Sequence, residues 1–192
     1  IYRRYFKFGG DFMMTIIYNE DISLSNANAI VNASNGWGYM GGQRCIDMRQ
    51  RGVAESIQYV SRGAIEKLSR KVCKKHPFGL NPGSIFITAA PNMKTDYIIH
   101  AVTMRTPGSR AKLKTIKALI PQIIKVSEQR NFKQVAIPLL GTGTGGLSIE
   151  DVYKLFEDLL PDSFVEFLLY TSFKDEFYID NYIEKKNEIL KG

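Results

Sequence analysis

The sequence predicts one α/β domain in which a sheet is covered by helices on both sides. Short apolar runs typical of strands alternate along the chain with longer segments of helical periodicity. The 192 residues are about one domain's length, and no repeat, low-complexity stretch or Pro/Gly/Ser linker divides them. We expect residues 14–192 to form this domain and residues 1–13 to be an N-terminal extension or an extra strand.

The predicted strands are short and rich in apolar residues. The last of them is continuously apolar, which is typical of a strand buried on both faces of a sheet. They cover residues 15–18, 29–31, 84–88, 97–102, 134–138 and 164–170.

Four segments have helical character. Residues 53–75 predict one helix with a weak point at Gly63, and residues 112–129 predict another that Pro121 should kink or interrupt. Ser148 is a good N-cap for a helix through Leu159. Residues 175–189 predict a closing helix.

The composition excludes several classes of protein. Hydrophobic residues make up 44% and charged residues 23%, as in an average globular protein. The longest apolar runs are far shorter than the ~20 residues of a membrane span, and we expect no secretory leader. Two cysteines, Cys45 and Cys73, indicate a reduced, cytoplasmic protein rather than a disulfide framework. Transmembrane, collagenous, disordered and disulfide-stapled proteins are thereby excluded.

The net charge of +7 favours anionic partners. Nucleic acid is a possible partner through a basic surface, and no membrane partner is expected.

Two glycine-rich segments, residues 32–42 and 141–146, each follow a predicted strand directly. Loops at strand ends are where open α/β sheets bind ligands, and glycines let backbone N–H groups approach phosphate oxygens. Neither segment is a P-loop, and the second lacks the acidic residue of a dinucleotide fingerprint. Two such loops predict a diphosphate held from both sides, whereas the simpler alternative is a pair of tight turns.

Six blocks of this sequence resemble the macro domain family of ADP-ribose-binding modules. The resemblance runs from about Met14 to Phe173. It implies a three-layer α/β/α fold with a central mixed sheet and helices on both faces. The blocks are NEDI at 19–22, NAIVNASN at 28–35, MGG at 40–42, PGSIFIT at 82–88, YIIHAV at 97–102 and VAIPLLGTGTGG at 135–146.

The same resemblance implies a role for several residues. Asp21 would accept a hydrogen bond from the adenine amino group, with the backbone of Ile22 beside it. Asn35 would bond the distal ribose, and Asn32 would brace the strand end. Phe173 is the candidate for stacking on adenine, with Tyr170 as the alternative.

The diphosphate would lie between the two loops. Gly41, Gly42 and Gln43 would line one side of it. The opposite side would be lined by Leu140, Gly141, Thr142, Gly143, Thr144, Gly145 and Gly146.

Macro domains include pure binders and hydrolases, and the sequence leaves open which this chain is. Binding of ADP-ribose, or of an ADP-ribosylated macromolecule, is the first hypothesis. The alternative is an enzyme that removes mono-ADP-ribose from protein or nucleic acid, or the phosphate of ADP-ribose 1''-phosphate. In that enzyme Asp47, the only carboxylate in the first loop region, would be the catalytic residue that positions water, although an ungapped match to the hydrolases places Gln43 at that position. A basic nucleic-acid-binding module is the third hypothesis.

We expect no metal and no cofactor. Cys45-Ile-Asp47 resembles part of the zinc-dependent macro domains, whose other ligands this chain lacks. Cys73 and His76 are two potential ligands, too few for a structural zinc site.

Overall fold

The computed structural model describes residues 3–8, 12–160 and 163–189. Within these ranges the chain forms seven strands, six α-helices and one 3-10 turn at Ile22–Leu24. The strands are β1 (Arg3–Phe8), β2 (Phe12–Tyr18), β3 (Ala29–Asn35), β4 (Ile85–Ala89), β5 (Tyr97–Met104), β6 (Gln134–Pro138) and β7 (Glu166–Thr171). The helices are α1 (Gly42–Asp47), α2 (Val53–Val60), α3 (Ala64–Cys73), α4 (Leu113–Gln129), α5 (Ile149–Leu159) and α6 (Phe173–Ile189).

The strands form one mixed sheet in the order β1-β2-β7-β6-β3-β5-β4. The five central strands are parallel, and β1 and β4 run antiparallel at the two edges. All five parallel strands therefore end at the same edge of the sheet.

Alternate residues of the central strands belong to two separate hydrophobic cores. On one face, Ala29 and Val31 of β3 pack with apolar residues of α4, α5 and α6. On the other face, Ile30 of the same strand packs with Ile57 of α2 and Ile65 of α3. This alternation is the period of two expected for a sheet covered on both sides. The predicted three-layer α/β/α fold is confirmed.

Two helix predictions are corrected by the structure. The helix predicted over residues 53–75 is broken at Gly63, whose φ of +79° suits a left-handed turn, so that α2 and α3 are separate helices. Pro121 does not interrupt its helix, contrary to one of the two predicted outcomes, since α4 runs unbroken over Leu113–Gln129. Its neighbours Leu119, Ile120 and Ile123 are fully buried, and their packing outweighs the cost of the missing N–H.

The strand predicted at residues 164–170 begins later than expected. Phe164 is fully exposed and β7 starts at Glu166. The other predicted strands are present, as are the Ser148 cap, whose Oγ accepts from the N–H of Asp151 at 3.3 Å, and the closing helix.

In the N-terminal segment, β1 pairs with β2, while residues 1, 2 and 9–11 lie outside the described residues. The division of the chain at residue 14 stays a prediction. No helix in the described part of the chain is long and apolar enough to cross a membrane.

Candidate functional site

The two glycine loops lie next to each other at the edge where the parallel strands end. The first, residues 36–41, follows β3, and the second, residues 139–147, follows β6, the strand beside it. Asp21 follows β2, which is two strand spacings, about 10 Å, from β6. The 3-10 turn that Asp21 caps contacts β6 directly. Asp21 and the 141–146 segment are therefore on the same edge of the molecule.

The second loop presents backbone N–H groups that the protein itself does not use. Its turns are closed by two bonds of 3.0 Å, from the N–H of Gly146 to the carbonyl of Gly143 and from the N–H of Leu147 to the carbonyl of Gly141. The backbone N–H groups of the three consecutive residues 143–145 donate to no acceptor among the described residues. Consecutive free N–H groups on a curled loop are an anion-binding arrangement.

A guanidinium group lies against this loop. Arg110 is exposed, and its Nη1 occupies the space that a Cβ on Gly146 would need. The next residue, Ala111, donates its N–H to the carbonyl of Gly145 at 3.1 Å, which ties the segment after β5 to the loop. The second loop thus combines free donors with a positive charge.

The first loop is held in shape by two side chains. Asn35 accepts the N–H groups of Trp37 and Tyr39 and donates its own amide to the carbonyl of Tyr39 at 2.7 Å. Glu66, a buried residue of α3, accepts the N–H groups of Met40 at 2.7 Å and Gly42 at 3.0 Å.

The contacts with Glu66 occupy two backbone N–H donors at the first loop, whereas those of residues 143–145 on the second loop are free within the described part of the chain. Gly42 was expected to line one side of the diphosphate, and in this structure its N–H is donated to the carboxylate of Glu66. Two donors of the first loop are thereby unavailable to an anion, while the N–H groups of Gly41 and Gln43 donate to no acceptor among the described residues.

Asp21 is surrounded by donors. One carboxylate oxygen accepts the N–H of Ser23 at 2.8 Å and its hydroxyl at 2.6 Å. The other oxygen pairs with the Arg49 guanidinium and accepts the Ser56 hydroxyl at 3.3 Å. Burial raises the pKa of Asp21, but the hydrogen bonds from Ser23 and Arg49 outweigh it and hold the pKa below its usual value. Asp21 is consequently an ionised acceptor whose outer oxygen is covered by Arg49.

Ile22 and Phe173 lie at the same corner of the sheet. The N–H of Ile22 donates to no acceptor in the described part of the chain, while its side chain is buried. A hydrogen bond of 2.9 Å from the N–H of Asn19 to the carbonyl of Thr171 joins the segment after β2 to the end of β7. Phe173 follows two residues later and is 76% exposed, whereas Tyr170 is half-buried. An exposed ring and a free N–H thus stand near the ionised Asp21.

Gln43 and Asp47, the two candidates for the catalytic position, are neighbours on α1. The Nε2 of Gln43 donates to the Oδ1 of Asp47 at 2.8 Å, and both side chains are exposed. They are one helical turn apart, so the two alternative alignments point to the same small patch of surface.

Asn32 lies within β3 with no exposed surface. Its amide Nδ2 is 3.3 Å from the Nδ1 of His100, and the Nε2 of His100 is 3.0 Å from the Thr88 hydroxyl. The His100 ring stacks on Phe86 with centroids 4.4 Å apart. Burial lowers the pKa of His100 to about 3, so the ring is neutral. Asn32 therefore belongs to a polar network beneath the site.

The two cysteines are buried, and burial raises the pKa of both thiols. The described residues include no group of three His, Cys, Asp or Glu side chains that could hold a metal ion.

Comparison with known proteins places this architecture in a family. The family model of the Macro domain matches residues 31–156, about two thirds of the chain. The chain belongs to the Macro domain family. An uncharacterized protein of Aquifex aeolicus is 31% identical over 134 residues, which are 70% of this chain and 73% of that protein.

Solved macrodomains share the fold. A variant of the Oceanobacillus iheyensis macrodomain with ADPR is 19% identical, with a TM-score of 0.76 and full coverage of both chains. The macrodomain of Mycobacterium tuberculosis DarG is 27% identical, with a TM-score of 0.64 over 81% of this chain and 96% of that chain. The first of these similarities shows the macrodomain fold over the part of the chain that the structure describes.

Sequence reasoning missed three residues of this macro domain's candidate site. Glu66 lies in a helix 24 residues beyond the loop that it holds, and Arg110 and Arg49 reach their partners from separate loops. The one available signal was Glu66 itself, the sole carboxylate among the basic residues 64–76.

Proposed function

We propose that this macro domain binds ADP-ribose, or an ADP-ribosylated macromolecule, in the cleft between its two glycine loops. The observation that carries the proposal is the row of three free N–H groups on residues 143–145 with the Arg110 guanidinium beside it. Free amides and a guanidinium are the groups that bind phosphate oxygens. Family membership and the ADPR held by a macrodomain of the same fold support this choice of ligand.

The adenine end of the ligand would lie at the other side of the cleft. Asp21 supplies an ionised acceptor for an amino group, and the N–H of Ile22 supplies a donor for a ring nitrogen. The exposed Phe173 ring supplies a stacking surface. Asn35, which shapes the first loop, would stand near the distal ribose with Gly41 and Gln43.

Isothermal titration of the full chain with ADP-ribose, ADP and AMP tests the proposal. We expect ADP-ribose to bind most tightly, because it engages both the diphosphate donors and the first loop. Equal and negligible heats for all three ligands would overturn it.

A second candidate function is hydrolysis of an ADP-ribosyl bond, favoured by the Gln43–Asp47 hydrogen bond of 2.8 Å beside the first loop. A carboxylate oriented by an amide can hold a water molecule against the distal ribose. In that reaction the bond from the anomeric carbon to the target breaks, a bond to the water oxygen forms, and the target group leaves with a proton. The same site could instead act on ADP-ribose 1''-phosphate.

Release of ADP-ribose from mono-ADP-ribosylated protein and DNA tests the second function. We expect Asp47→Asn to reduce the rate by roughly 10²-fold or more, within the range of general acid–base effects, while ADP-ribose still binds. If the unsubstituted protein releases no ADP-ribose, this chain is not a hydrolase for those linkages.

We place the protein in the cytoplasm, in keeping with its two free cysteines.

A further inference from the structure

Most of the chain's excess positive charge lies on and just after α3. Residues 64–76 carry five lysine and arginine side chains against one carboxylate, a net charge of +4 out of the chain's +7 with histidine neutral. All five cationic side chains are exposed. They are Lys67, Arg70, Lys71, Lys74 and Lys75.

These charges have almost no counter-charges on the protein. Glu66, the one carboxylate of the segment, is buried and engaged with the first loop. Its 3.7 Å contact with Arg70 is the single ion pair that this segment makes within the described part of the chain. The four lysines therefore present their charge to solvent. Exposed charge is common on solvated helix faces and does not by itself indicate a binding surface.

A groove beside the lysines sets this face apart. It lies between α3 and β4, has a volume of about 280 Å³, and has a mainly apolar lining. Lys71 and Lys75 line it together with Leu68, Val72 and Ile87. Its volume is slightly below the ~300–1,000 Å³ of sites for drug-sized ligands.

Exposed aromatic rings follow at the end of the helix. Phe78, three residues after Lys75, is 80% exposed, and Trp37 is 43% exposed. The segment after α3 passes beside Trp37, because a Cβ at Gly79 would be 3.4 Å from the indole. Arg105 donates to the carbonyl of Phe78 at 2.7 Å, which fixes a further cation there.

We propose that these groups form a binding surface for single-stranded nucleic acid. The α3 surface comprises Lys67, Lys71, Lys74, Lys75, the groove and Phe78. Its lysines would neutralise phosphates, and the groove and Phe78 would receive unstacked bases, the combination that single-strand binders use. A duplex could use the charges but not the rings, because its bases are already stacked. The inference does not depend on ADP-ribose binding, since Trp37 lies in the first loop but the α3 surface as defined includes no residue of the proposed cleft.

The test is fluorescence anisotropy of the full chain with a labelled 15-nucleotide oligo-dT. The variant Lys71→Ala/Lys74→Ala/Lys75→Ala removes three charges from the α3 surface. The control Lys114→Ala/Lys117→Ala/Lys125→Ala removes three exposed charges from α4, which covers the opposite face of the sheet. We expect the α3 variant to bind the oligonucleotide at least tenfold more weakly. The slope of the logarithm of its binding constant against the logarithm of salt concentration should become shallower by about 2. The affinity of the α4 control should change less than threefold.

Phe78→Ala tests the bases separately from the charge. It leaves the net charge intact, and we expect about a tenfold loss of affinity for the single strand from the missing stack. Circular dichroism and ADP-ribose titration of each variant establish that the fold is retained.

Three results would overturn the proposal. Equal weakening by the two triple variants would mean that only net charge matters. Equal affinity for a duplex, with no effect of Phe78→Ala, would exclude base stacking. Binding to phosphatidylserine vesicles without binding to the oligonucleotide would make the surface a lipid site instead.

Discussion

The carboxylate of Asp21 is paired with the guanidinium of Arg49, a residue 28 positions further along the chain in the segment between α1 and α2. The same guanidinium lies 5.6 Å from the centroid of the Tyr59 ring, within the range of a cation–π contact. Arg49 therefore covers one of the two oxygens of Asp21. Under the proposed function, an adenine amino group approaching this oxygen would compete with Arg49 for it.

Replacing Arg49 should strengthen binding of ADP-ribose. An ion pair this exposed stabilises by about 0–1 kcal/mol, so we expect Arg49→Ala to bind up to about fivefold more tightly in isothermal titration. Arg51→Ala is the matched control, because Arg51 is an exposed arginine two residues away. Weaker binding by Arg49→Ala would mean that Arg49 contacts the ligand rather than competing with it.

Glu66 should act on binding through the first loop. Because its carboxylate holds the N–H groups of Met40 and Gly42, we expect Glu66→Gln to loosen the loop and weaken ADP-ribose binding about tenfold. AMP, which lacks the distal ribose, should lose little affinity. Titration with both ligands measures the difference, with Glu184→Gln on the exposed surface of α6 as control. A parallel loss for AMP would contradict a role confined to the loop.

The sequence was sufficient to predict the layers of the fold and the edge of the sheet that carries the candidate site. Strand periodicity is local, and glycines after strand ends mark loops, so residues 141–146 could be predicted as a loop at this edge, while their role in binding phosphate stays a prediction. The break at Gly63 and the unbroken α4 could not be predicted, because tertiary packing decides whether a helix tolerates a glycine or a proline.

The difference between the two loops in how their backbone donors are used could not be predicted either. Two donors at the first loop, the N–H groups of Met40 and Gly42, are taken by Glu66 from a distant helix, and the donors of the second loop are supplemented by Arg110 from the segment after β5. Contacts between residues so far apart in the chain produce no recognisable pattern of residue spacing in the sequence. The predicted ligand contacts of Gly41, Gln43, Phe173 and their neighbours stay predictions that the titrations above address.

Arg110 should contribute to binding through the phosphates alone. A charge-assisted hydrogen bond is worth about 1.5–3 kcal/mol, so we expect Arg110→Ala to weaken ADP-ribose binding at least tenfold. Adenosine, which has no phosphate, should bind the variant and the unsubstituted protein equally. Lys125→Ala, an exposed cation on α4, controls for the loss of net charge. If ADP-ribose binds normally to Arg110→Ala, the guanidinium does not face the ligand.

His100 should make the fold sensitive to acid. Burial lowers its pKa from 6.5 to about 3, so between these values the unfolded chain binds a proton at this position that the folded chain does not. The free energy of unfolding therefore falls as the pH drops from about 6.5 towards 3, by up to roughly 1.4 kcal/mol per pH unit from this residue. Urea unfolding at a series of pH values measures the slope.

The variant His100→Gln separates this effect from acid sensitivity in general. Glutamine does not titrate, so we expect the variant to be less stable at pH 8, where it loses the stack on Phe86, but to lose stability less steeply below pH 6.5. His76→Gln, at the other histidine, lies on the surface after α3 and should leave the slope unchanged. An identical slope in His100→Gln and the unsubstituted protein would show that protonation of His100 does not limit stability in acid.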